Sequence, residues 1–211
     1  MFRVAIAAAV VGIALAFVDS ARSDEIPLFN VHVDKFEANA GWQGGDVQVA
    51  LNANDYAITK LSETAPPPHQ VYSDISVCVE LPTRTICSNS GLLDNQFEVN
   101  GNLASATVKA DLPAQECLRV APYGCSDARL QIDLVWNAIG PLDRSESFHN
   151  KIFFDACHIN EVGTITRRQA QVTGSITDGS VNFLAGLNTS YEEVSRFRSA
   201  DTGRGDGEIC L

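Results

Sequence analysis

Residues 128–178 read ARLQIDLVWNAIGPLDRSESFHNKIFFDACHINEVGTITRRQAQVTGSITD, and the alternation in this stretch decides the fold class. Leu130, Ile132, Leu134 and Trp136 share one face, with Gln131, Asp133 and Asn137 on the other. Period-two patterning of this kind marks a strand with one buried face. Gly140-Pro141 stops the run. A second run, Phe148–His158, places Ile152, Phe154 and Ala156 opposite Phe153, Asp155 and Cys157. A third sets Ala170, Val172, Gly174 and Ile176 against Gln169, Gln171, Thr173 and Ser175. Three consecutive strands are expected, with Trp136 in the core.

The same period recurs on both sides. Leu28–Phe36 alternates, then Asn39-Ala40-Gly41 and Gly44-Gly45 punctuate the chain around Trp42. Val47, Val49 and Leu51 form the next run, and Tyr56–Leu61 continues or re-enters the sheet. Pro66-Pro67-Pro68 reads as loop, because proline lacks the donor a strand needs. Val71–Leu81 is the cleanest strand pattern, and Thr83–Ser88 returns antiparallel to it. Asn100-Gly101 is a hairpin signal, and the run after it, Ala104–Leu112, is expected to end at Pro113. Asp178-Gly179 signals another hairpin, into a strand at Val181–Ala185. Tyr191–Arg198 reads two ways. Glu192 and Arg196 would pair on a helix, yet the neighbouring segments read as strand. Residues 199–211 read as a polar, glycine-rich tail.

Short strands with turns every ~8–12 residues give an all-β class. The expectation is a single disulfide-stapled antiparallel β-sandwich over residues 24–211, with a β-barrel as the alternative. Residues 1–23 read as a cleaved secretory leader. Arg3 is its basic start, Val4–Val18 its apolar run, and Ala21 and Ser23 the small residues before the cut. That run is shorter than the ~20 residues that span a bilayer. No membrane span is expected once the leader is gone.

The chain carries 15 basic and 26 acidic residues, a formal charge of −11. Only Arg3, Arg22 and Asp19 fall in the leader, so the mature surface stays acidic and repels nucleic acid and anionic membranes. All six cysteines, Cys78, Cys87, Cys117, Cys125, Cys157 and Cys210, follow the leader. An even count there argues for three bridges. Cys78 and Cys87 sit symmetrically about Pro82-Thr83, so a hairpin turn there would set them opposite one another. Cys117 and Cys125 bracket a Pro-Tyr-Gly turn. Cys157 and Cys210 remain, a bond that would pin the tail.

Signatures of known chemistry are missing from the chain: no GxSxG, HExxH, P-loop or dinucleotide fingerprint occurs. No cofactor is expected. His149 and His158, with Asp155, are the grouping to weigh for a metal, and nothing near them has zinc-ligand spacing. Asp133, Asp155 and Glu161 are the carboxylates a hydrolase reading would use, needing ~5–9.5 Å between a working pair. Trp42, in Gly41-Trp42-Gln43-Gly44-Gly45, has either a core place or an exposed place as a sugar platform. Asp155 and His158 complete the candidate ligand contacts. The Cys117–Cys125 loop has the form of a protease-inhibitor loop. Asp201, Asp206 and Glu208 are candidate calcium oxygens without the EF-hand spacing. Arg204-Gly205-Asp206 matches the tripeptide read by integrins, and Asn188-Thr189-Ser190 is a glycosylation sequence in a eukaryotic source.

The stretch Trp136–Leu142, followed by Arg167–Ile176, resembles a recurrent type of uncharacterised secreted bacterial β-rich protein. Those share a W-x-x-x-G-P-like strand end and a later R-x-A-x-x-x-G-x-[IV] strand. The resemblance covers about 50 of the 211 residues, and it implies a secreted β domain with no catalytic residue. The leading expectation is a non-enzymatic module that binds a protein or glycan partner through its loops. A carboxylate hydrolase and a protease inhibitor are the alternatives.

Overall fold

The structure is a computed structural model, and it describes residues 28–61, 69–93, 95–142, 146–154 and 157–204. Residues 1–27, the proline run, Asp155 and the last seven residues, Cys210 among them, lie outside these. Among the described residues ten strands form one antiparallel sheet: β1 (Leu28–Gly44), β2 (Val47–Leu61), β3 (His69–Glu80), β4 (Arg84–Leu92), β5 (Phe97–Val99), β6 (Ser105–Leu118), β7 (Cys125–Ala138), β8 (Glu146–Phe154), β9 (Cys157–Thr177) and β10 (Asn188–Arg204). Neighbours run β10-β1-β2-β3-β4-β6-β7-β9-β8, and β10 also pairs with β9. The order of neighbours therefore returns to its start. Among the described residues no helix is long and apolar enough to cross a membrane.

Alternation decides which face is core. Ala38, Ala40 and Trp42 of β1 line up with Leu51 and Ala53 of β2, Ile75 and Val77 of β3, and Leu130 to Trp136 of β7 in one buried cluster. Fully burying each large aliphatic stabilises the fold by about 1.5–3 kcal/mol.

Several strand ends differ from the sequence reading, each for a physical reason. β1 runs on to Gly44, and the turn falls at Gly45, which adopts φ 57°. β6 passes straight through Pro113 to Leu118. On that edge β6 pairs with β5 only over Ala106–Val108 and with β4 only over Gln115–Leu118. The N–H groups of Lys109 and Arg119 turn to this edge, donating to Gln96 and Thr83 carbonyls. Pro113 shares their parity, so the donor it lacks would have had no strand partner. Its carbonyl instead accepts the Ser88 hydroxyl at 2.7 Å.

Phe148–His158 is not one run. It splits into β8, ending at Phe154, and β9, opening at Cys157, and Phe153 pairs with His158 between them. The faces assigned to one continuous strand do not carry over. Val181–Ala185 is not a strand either, making only the bridge Thr177↔Asn182. The Asp178 carboxylate accepts from the Ser180 and Val181 amides at 3.0 Å each. This tight loop then turns Phe183 into the core. Tyr191–Arg198 is strand, and Arg196 pairs with Asp34 rather than Glu192. The expected tail from residue 199 is instead strand as far as Arg204.

Cys78 and Cys87 stand opposite each other, as do Cys117 and Cys125, and both pairs are bridged. The remaining pair lies outside this description: β9 opens at Cys157, and Cys210 falls in the undescribed tail.

Candidate functional site

The face of β10, β1, β2 and β3 turned away from the core carries a connected row of polar side chains. Register builds it. Lys35, Tyr56 and Tyr72 share one rung, Glu37, Asn54 and Asp74 the next, and Asn39, Asn52 and Ser76 a third. Ser195 of β10 stands opposite Glu37. Asparagine and aspartate are depleted in strands, yet four of them sit here mid-strand.

The contacts join these rungs. Asn54 Nδ2 donates to Asn52 Oδ1 at 2.6 Å and to Asp74 Oδ1 at 2.7 Å. Asn52 Nδ2 donates to Asn39 Oδ1, and Lys35 Nζ to Glu37 Oε1. The Ser195 hydroxyl donates to Glu37 Oε2 at 3.2 Å. Tyr56 and Tyr72 stack with centroids 4.6 Å apart and planes 16° apart, and Lys35 Nζ lies 4.9 Å from the Tyr56 centroid.

Burial here is uneven. Asn54 is only 6% exposed, whereas Tyr72 is 46% exposed. Asn54 Oδ1 is buried with no hydrogen-bond partner. Such an orphan acceptor costs about 1–3 kcal/mol, so the row holds an unmet demand for a donor. Burial lowers the Lys35 pKa, but its hydrogen bonds to Glu37 and Tyr56 outweigh this and raise it overall. Lys35 is therefore a fixed positive charge at neutral pH. Burial raises the Tyr72 phenol, and the nearby Tyr56 and Asp74 add to the shift. At its β10 end the row opens on a groove of about 560 Å³, bordered by Asn39, Gln169, Tyr191, Glu192 and Glu193.

Residues expected from the sequence to meet a ligand lie elsewhere. Trp42 is 5% exposed and packed in the core, so its ring is no exposed platform. Asp133 sits on β7 in an exposed ion pair with Lys109, N···O 3.5 Å. His158 is exposed at the start of β9, edge-on to Phe153, at the far end of that strand from Ser175, the partner of Asp133. Asp133 and His158 are not brought together. His149 and His158 share a face but stand four rungs apart, about 13 Å along the strand. Among the described residues no three His, Cys, Asp or Glu gather as for a metal. The Cys117–Cys125 loop is exposed at Val120 and Tyr123.

The sequence reading missed the polar row. Its signal was present as Asn52, Asn54 and Tyr56 alternating in one strand, with Asp74 and Asn39 in others. Only the register shows that these residues meet.

No protein-family model matches the chain, and no curated protein matches it. Two solved structures share a distant likeness. One is the enduracididine biosynthesis enzyme MppR complexed with the condensation product of pyruvate and imidazole 4-carboxaldehyde. Its TM-score is 0.27 at 10% identity, covering 95% of this chain and 96% of that one. The other is an acetoacetate decarboxylase-like enzyme from Sphingomonas wittichii RW1, at TM-score 0.28 and 8% identity, covering 85% of this chain and 91% of that one. Neither likeness bears on the fold or chemistry of this chain.

Proposed function

We propose that this chain is a secreted, non-enzymatic binding module that takes a glycan on the polar face of β10, β1, β2 and β3. The unpartnered Asn54 Oδ1, beside the stacked Tyr56–Tyr72 pair, carries this reading. Sugar hydroxyls donate to amide and carboxylate oxygens, and their apolar C–H faces pack on aromatic rings. A row of amides and carboxylates flanked by an exposed tyrosine suits both. The groove at Asn39 and Glu193 gives room for a second sugar unit. Secretion is supported by the leader pattern of residues 1–23 and by two cystine bridges, which fit an oxidising compartment. For the architecture we favour a barrel-like wall over two facing sheets, since the order of neighbours returns to β10.

An oligosaccharide array followed by calorimetry tests this reading. Retention of at least one glycan class is expected, with Tyr72→Ala lowering its affinity by about tenfold or more. A wild-type chain that holds no glycan, or a Tyr72→Ala variant that binds undiminished, would sink the proposal.

A second reading has its own observation. The loop Leu118–Gly124 is bridged at its base and exposes Val120 and Tyr123, the form of a protease-inhibitor loop, rigid before binding. Replacing Tyr123 with alanine would then abolish inhibition of a chymotrypsin-class protease. No inhibition by the wild-type chain across a protease panel would discard this second reading.

A further inference from the structure

We propose a site for a hard divalent cation of the calcium class on the rung Asp201–Glu161–Asn150, with Ser199 beside it. The β10–β9 register puts Asp201 opposite Glu161, and the β9–β8 register puts Glu161 opposite Asn150. Side chains directly opposite in an antiparallel pair share a face, with Cβ atoms about 4.5–5.5 Å apart. Three oxygen-bearing side chains thus lie in line across three strands. Asn150 Nδ2 donates to Glu161 Oε2 at 2.9 Å, which holds the carboxylate in place.

The second observation is an absence of partners at depth. Asp201 is 8% exposed and Ser199 7%, and neither Asp201 Oδ1 nor Ser199 Oγ has a hydrogen-bond partner. They are two positions apart on β10 and so share its face. Val31, opposite Asp201 on β1, is fully buried. Among the described residues no lysine or arginine forms an ion pair with Asp201 or Glu161; Arg198, next to Ser199 in sequence, turns to Asp34 on the other face. A buried carboxylate oxygen without a partner is costly, and either a proton or a cation relieves it. Burial raises the Asp201 pKa, and the Glu161 charge raises it further, against partial offsets from the nearby Ser199 hydroxyl and His32. A buried Asp201 facing a half-exposed Glu161 of like charge is an arrangement a cation relieves.

The donor set selects the ion. Carboxylate, hydroxyl and amide oxygens suit calcium at 2.3–2.6 Å, with water completing its shell. Zinc prefers nitrogen and sulfur, and His32 lies on the opposite face of β1 from Val31. No third His, Cys, Asp or Glu joins the pair among the described residues. The affinity is therefore placed in the weak range of extracellular modules, about 10⁻⁴–10⁻³ M. The site is separate from the glycan reading and stands without it.

Thermal melts and calorimetry of the full chain with calcium chloride at neutral pH test the proposal. About 10 mM calcium is expected to raise the wild-type Tm by about 3–6 °C. Asp201→Asn is expected to abolish the rise and Glu161→Gln to reduce it. Asp201→Asn removes a buried charge, so it should fold at least as well without calcium. A wild-type Tm unmoved by calcium overturns the proposal, as does an Asp201→Asn variant that responds fully. Should that variant fail to fold, an undiminished response in both Glu161→Gln and Ser199→Ala overturns it equally.

Discussion

The indole Nε1–H of Trp136 donates to the backbone carbonyl of Asn39 at 3.1 Å, joining β7 to β1 across 97 positions of chain. Trp136 is fully buried, and the Asn39 side chain belongs to the polar row on the other face. One bond therefore ties the core to the floor of the candidate site. The β1–β10 register shifts just beyond, between Gly41 and Trp42. Trp136→Phe leaves the carbonyl without its donor and opens a small cavity. We expect a loss of about 2–4 kcal/mol, read as a lower urea midpoint with an unchanged slope. Ligand affinity should fall as well, because Asn39 is no longer fixed. A variant as stable as the parent would show that the bond is incidental.

Gly174 lies on β9 opposite Leu134, with φ 128°. A Cβ there would stand 2.0 Å from the Asp133 carbonyl oxygen. Backbone, not a flexible side chain, blocks it, and the conformation itself disfavours any L-residue. Gly174→Ala is expected to cost more than about 3 kcal/mol or to prevent folding. Gly101→Ala is the control, since a Cβ there meets nothing within 4 Å; it should stay within about 0.5 kcal/mol. Equal melting temperatures for the two variants would refute the account.

Strand faces were legible in the sequence wherever alternation was clean. β7 buries Leu130, Ile132, Leu134 and Trp136, and β3 buries Ile75, Val77 and Val79 while Val71 at its start is exposed; two cysteine pairs fall opposite each other as their turns require. Strand ends were less legible, because they depend on what lies alongside. Pro113 breaks the local rule for a strand and is tolerated only because β4 and β5 both leave that edge unpaired. Residues 148–158 contain no glycine or proline to mark a break, so the run reads as continuous. The polar row needs three registers before its members meet. Asn54 alone in a strand is a poor β-former, and only beside Glu37 and Asp74 does it become part of a site.

Two carboxylates should titrate with opposite consequences. The hydrogen bond from Arg196 lowers the Asp34 pKa, with burial opposing it and the Arg196 and Arg198 charges assisting. Its folded value lies below the unfolded one. Its contribution is therefore present above about pH 4 and lost as pH falls through the folded value. Asp34 is about a third exposed, so solvent screening keeps this below about 1 kcal/mol. For Asp201, burial raises the folded value. Its contribution is complete below the unfolded pKa, about 4, and is lost as pH rises through the folded one. In a chelating buffer from about pH 3 to 7, Asp34→Asn should flatten the acid side of the Tm profile. Asp201→Asn should instead gain on the parent as pH rises. The same slope in both variants would contradict the assignment.

The cysteines give the last test. Cys78–Cys87 and Cys117–Cys125 have Cα separations of 4.2 and 4.1 Å, close to the ~4.5 Å of a non-hydrogen-bonded antiparallel pair. Each closes a short hairpin loop. Replacing both members of the first pair with alanine should cost about 2–3 kcal/mol, and the sheet pairing on either side should survive. The third pair, Cys157 with Cys210, is an expectation of the cysteine count. Cys157 opens β9 beside His158, whose partner on β10 is Arg204. Cys210 lies six residues beyond Arg204, a span of up to about 20 Å, enough for the tail to turn back to the strand it leaves. A peptide map under non-reducing conditions should therefore yield three linked pairs, with Cys157 joined to Cys210. Alkylation of Cys157 in the unreduced chain would exclude that bond.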